Sequence, residues 1–66
     1  MNYRIEFEKE DDGRWIAEIS ELPGVMAYGA SKEEAESKVQ AIALRRIADT
    51  LERERTTMKH VQFAAA

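Results

Sequence analysis

Sixty-six residues without cysteine, 35% charged and 44% hydrophobic, with a formal net charge of −3, admit one small domain. They exclude a disulfide framework and a cysteine-ligated zinc ribbon, both of which need sulfur at defined spacing. A chain this short buries only about 60% of its unfolded surface and draws no more than roughly 3–5 kcal/mol from its own core, so association with further copies is the staple left to it. No apolar run approaches the roughly 18 residues of a membrane span. The start Met1-Asn2-Tyr3-Arg4 lacks the basic-then-apolar order of a secretory leader. The acidic balance is no footprint for neutralising phosphates. A cytoplasmic protein without membrane contact or direct DNA binding is therefore expected.

In chain order, Asn2 to Lys9 alternates, Tyr3, Ile5 and Phe7 on one side and Arg4, Glu6 and Glu8 on the other, which predicts a half-buried strand. Glu10-Asp11-Asp12-Gly13 carries a hairpin signal, and Arg14 to Ser20 forms the second strand. The expected register pairs Phe7 with Trp15, Ile5 with Ala17 and Tyr3 with Ile19, with Glu8 against Arg14 and Arg4 against Glu18. A shift by two residues would oppose Glu6 to Glu18, and cross-strand pairs are worth roughly 0.2–1 kcal/mol each. Leu22-Pro23-Gly24 sets a type II turn, and a third strand, Val25 to Tyr28, ends at Gly29.

Ser31-Lys32-Glu33-Glu34 reads as a capping box, opening a helix from Lys32 to about Arg53, roughly 33 Å long. Its core stripe is Ala35, Val39, Ile42 and Ala43, whereas Ile47 and Leu51 drift around it and Ala41, Leu44 and Ala48 fall on the opposite side. An apolar surface wider than one sheet needs marks Leu44, Ala48 and Leu51 as the expected contact between subunits. Beyond Thr56-Thr57, Met58 to Phe63 alternates again and predicts a fourth strand. Ala64 to Ala66 shows no pattern. The predicted fold is α+β: one β-β-β-α-β domain over residues 1–66, a three-stranded antiparallel meander plus a fourth strand, with one long helix on one face.

Catalytic chemistry is hard to assemble from these residues. The single histidine, His60, lies far along the chain from Ser20, Ser31 and Ser37, and a proton-transfer role needs a neighbouring carboxylate in a cleft. Glu10-Asp11-Asp12 sits at a hairpin tip, without the converging geometry that hard-metal sites require. Gly13, Gly24 and Gly29 occur singly, so no phosphate-binding glycine loop is present. No catalytic residue, cofactor or metal is expected. Charge is more informative: residues 1–30 carry a net −4 and residues 31–66 a net +1. The acidic sheet half, with Glu6, Glu8 and Glu18, suits a basic partner.

The run Trp15-Ile16-Ala17-Glu18-Ile19, then Leu22-Pro23-Gly24-Val25, then Gly29 with Ser31, Glu33, Glu34 and Ala35, resembles the HicB-like antitoxin family over about Tyr3 to Ile47. The resemblance implies a degenerate ribonuclease H-like fold whose last strand returns beside the first. It also implies a toxin-antitoxin role: members bind and block HicA-type toxins, small basic ribonucleases that cleave mRNA, by occlusion and without catalysis. Leu22, Pro23, Gly24, Gly29, Ser31, Glu34 and Ala35 match the motif and carry the fold. Many members continue into a C-terminal DNA-binding domain, and none is expected in residues 1–66. A homo-oligomeric inhibitor is thus the leading expectation. A solitary oligomeric scaffold of the same family is the alternative, and a metal-dependent nuclease built on Glu6 and Glu18 is a distant third.

Overall fold

The computed structural model describes residues 1–65; Ala66 lies outside the described residues. Strands β1 (Asn2–Lys9), β2 (Trp15–Glu18) and β3 (Met26–Gly29), helix α1 (Lys32–Glu54) and strand β4 (Gln62–Ala65) follow in that order. They form a four-stranded mixed sheet, ordered β3-β2-β1-β4, with β4 parallel to β1 and the other neighbours antiparallel. The α+β, β-β-β-α-β layout is the one the sequence predicts. Because β4 runs parallel to β1, its connection must cross over the sheet, and α1 is that crossover.

The β1–β2 register differs from the expected one: Glu6 stands opposite Glu18, Phe7 opposite Ala17, Glu8 opposite Ile16 and Lys9 opposite Trp15. The loop explains the shift. Glu10 and Arg14 close it through a 2.7 Å backbone bond, the Gly13 amide donates to the Glu10 carbonyl at 3.0 Å, and Gly13 takes φ +90°. This is a three-residue hairpin, a turn followed by a left-handed glycine, and it moves the pairing two places from the expected one. Asp12 locks it by accepting from the Arg14 amide at 3.0 Å and from the Arg14 Nε at 2.8 Å. The opposed Glu6 and Glu18 are both exposed, where water screens their repulsion. A shift of two residues keeps each side chain on its face, so Tyr3, Ile5, Ala17 and Ile19 are buried as expected.

The second turn forms as predicted, with the Val25 amide donating to the Leu22 carbonyl at 3.0 Å and Gly24 at φ +84°. At the start of α1 the Ser31 hydroxyl accepts from the Glu34 amide at 3.1 Å, and the Glu34 carboxylate accepts from the Ala30 amide at 2.7 Å. The capping box is therefore present, reaching one residue further back than the usual pattern. The helix ends at Arg55, whose left-handed φ of 53° turns its amide toward the Leu51 carbonyl. A left-handed cap at a residue other than glycine stops the helix just ahead of the β-branched pair Thr56-Thr57.

Helix α1 buries Ala35, Val39, Ala43 and Ile47 and packs on β3 and β2. Ile42, expected in the stripe, is only half-buried, and Ile47 takes a place in it. The fourth strand begins four residues later than expected, because Met58 and Val61 serve as half-buried packing in the connection. Ala64 and Ala65, patternless in sequence, are paired with Arg4 and Ile5.

Two expectations follow. A Cβ at Gly29 would lie 2.5 Å from the Ala35 amide nitrogen and 2.9 Å from the Ser31 carbonyl oxygen, so Gly29→Ala is expected to lower stability by about 1–3 kcal/mol. Urea unfolding checks this, and an unchanged midpoint would show that the helix start shifts freely. The Asp12 carboxyl is held below its ordinary value, first by the Arg14 amide and then by the Arg14 side chain. The stability linked to it is therefore complete above the ordinary carboxylate range and is lost as pH falls through the folded value. In an NMR titration the Asp12 carboxyl carbon is expected to show its midpoint below the usual aspartate range, returning to it in urea.

Candidate protein-binding face

Alternation along three strands constructs the sheet face turned away from α1. Inward residues Tyr3, Ile5, Ala17, Val25 and Ala27 are buried, so their neighbours in sequence point to the other side. Pairing aligns those neighbours in two rows. One runs Glu8, Ile16, Tyr28; the other runs Glu6, Glu18, Met26. With neighbouring strands about 4.8 Å apart, three carboxylates and three apolar side chains share one small patch.

Met26 is 41% and Tyr28 42% exposed, and Ile16 is half-buried. The Arg14 guanidinium lies 4.6 Å from the Tyr28 ring centre, a cation–π contact that restrains the ring. Next to the rows, a depression of about 270 Å³ is bordered by Arg4, Glu6, Ser20 and Glu21, and the Glu21 carboxylate accepts weakly from the Arg4 amide at 3.4 Å. The expected partner-facing residues Glu6, Glu8 and Glu18 are all exposed here. Ile16, Met26 and Tyr28 were not singled out from sequence, although the same alternation that buries Val25 and Ala27 turns Met26 and Tyr28 outward.

Of the residues expected between subunits, Leu44 and Ala48 are exposed, but Leu51 is half-buried against the core. Among the motif residues, Ala35 and Gly29 are buried at the helix–sheet contact and Leu22 is half-buried against the core. Pro23 and Gly24 are exposed in the turn, where the Pro23 carbonyl accepts from Arg46 at 2.9 Å.

His60 does not lie in a strand: it is exposed in the connection before β4, and its carbonyl accepts from the Met1 ammonium at 2.9 Å. It borders a cleft of about 460 Å³ between α1 and that connection, with Tyr3, Leu22, Ile47, Leu51 and Met58 among its apolar walls. Among the described residues no three His, Cys, Asp or Glu side chains gather as a metal site would require. No helix among them is long and apolar enough to cross a membrane. The chain matches no family model, and neither a curated protein nor a solved structure matches it significantly.

Proposed function

We propose that this chain is a HicB-like antitoxin: a cytoplasmic homo-oligomer that binds a small basic mRNA ribonuclease of HicA type and occludes it without catalysis of its own. The observation that carries this reading is the pair of rows on the open sheet face. Apolar Ile16, Met26 and Tyr28 supply an area worth removing from water. The carboxylates of Glu6, Glu8 and Glu18 supply the sign of potential that attracts a cationic enzyme surface. The strand order, with β4 returning beside β1, is also the order that the family resemblance implies, and supports the reading.

A nuclease that binds RNA presents a positive groove, so a negative, partly apolar plate competes for the same surface as the substrate. Inhibition then needs no reacting group. The division of labour on the plate follows from exposure: the acidic side chains set the encounter rate and its salt dependence, and the apolar row sets the lifetime of the complex.

If a small basic, histidine-containing protein is encoded beside this chain, co-expression with it is expected to yield a complex in which mRNA cleavage is suppressed. Binding should weaken as ionic strength rises. The triple change Glu6→Lys, Glu8→Lys and Glu18→Lys is expected to weaken it at least about tenfold, or about 1.4 kcal/mol, with an unchanged circular dichroism spectrum. Binding that is indifferent to salt and charge reversal would remove the electrostatic argument. Absence of any such neighbour would favour the solitary scaffold.

A further inference from the structure

We propose that α1 docks antiparallel on the α1 of a second copy, through the face centred on Leu44. This gives form to the self-association within the proposed function and is independent of the ribonuclease. Leu44 is 48% exposed, the most exposed large apolar side chain on the helix. Ser37, Ala41 and Ala48, at i−7, i−3 and i+4 from it, are exposed on the same side. This face is separate from the core stripe of Ala35, Val39, Ala43 and Ile47. Ala41 and Ala48 present no bulk, so a second helix can approach until Leu44 is covered.

Charge gives the pair its direction. The helix carries Glu33 and Glu34 in its first turn and Arg53 near its end, followed by Arg55 at its cap. Within one chain Lys38 pairs with Glu34 at 3.7 Å and Arg53 with Asp49 at 3.0 Å. Among the described residues Glu52 and Arg55 make no ion pair. A two-fold axis beside Leu44 sets Ala41 next to Ala48 of the second copy. The same axis brings Glu34 near Arg55 of the second copy and Lys38 near its Glu52, opposite signs at both of these pairs. It also opposes the two macrodipoles. Parallel docking would stack Glu33 and Glu34 on their own copies, and likewise Arg55. Arg45 is the one group that meets its own copy at the axis; it is exposed, so its stem covers Leu44 while its guanidinium stays in water.

The absence of cysteine makes cross-linking a clean test. The unaltered chain is expected to sediment as a dimer or a multiple of one, and Leu44→Glu to shift it toward monomer, raising the dissociation constant at least tenfold with an unchanged circular dichroism spectrum. In an equimolar mixture of Ala41→Cys and Ala48→Cys chains, mild oxidation is expected to join the two variants to each other. Preferential joining of Ala41→Cys chains to themselves would overturn the antiparallel arrangement. A Leu44→Glu chain that still self-associates would overturn this face while leaving self-association intact, and a monomeric unaltered chain would overturn both. None of these outcomes bears on ribonuclease binding.

Discussion

The close approach of α1 to the end of β3 is the constraint on which the rest of the structure depends. Gly29 faces the first turn of the helix with no room for a Cβ, and Ala35 is buried against it. The Ser31 hydroxyl and Glu34 carboxylate hold the entering chain at that point. Four of the ten buried core residues are alanines, and Ile5, Ile19 and Val39 are the largest that are fully buried. The core is therefore thin, and the helix lies near the sheet because its contacts are small. A helix of 23 residues, roughly 35 Å at 1.5 Å per residue, governs the longest dimension of a molecule measuring 42 × 18 × 16 Å.

That geometry leaves two surfaces uncovered for different reasons. The open sheet face is bare because the single helix occupies the other side. The outer helix face is bare because no second layer exists above it. They lie on opposite sides of the molecule, so one copy can be held by its neighbour through α1 while the sheet meets a different protein. Glu6, Glu8 and Glu18 stand exposed on the sheet side, and the helix side carries Glu33 and Glu34 at its start and Arg55 at its cap. On the proposed reading, each surface serves a different partner.

Much of this was legible in the amino-acid order where local chemistry decides. The capping box, the Leu-Pro-Gly turn and the inward faces of β1 to β3 all follow from short-range steric and hydrogen-bonding rules. The hairpin register did not, since it turns on whether the loop spans Asp11 to Gly13, as observed, or the longer Lys9 to Gly13 that pairing Glu8 with Arg14 would leave, and the repulsion between Glu6 and Glu18 is too small in water to choose. The end of β4 was missed because Ala64 and Ala65 have no alternation to show. Their place comes from pairing with β1, a contact across most of the chain. The acidic members of the candidate face were visible as single residues. Its apolar members required the three-strand register that sets Ile16 beside Tyr28.

The fourth strand has little beyond its ladder to hold it. Alanines supply almost no packing, and the aromatic contact of the strand is Tyr3 with Phe63 at a centroid distance of 6.0 Å. Amide exchange should accordingly be quickest there among the strands. Once β4 lifts, the longest strand of the sheet, β1, becomes a naked border with unpaired donors and acceptors. That moment of opening, rather than global unfolding, is where the molecule is most exposed to misjoining with its own kind.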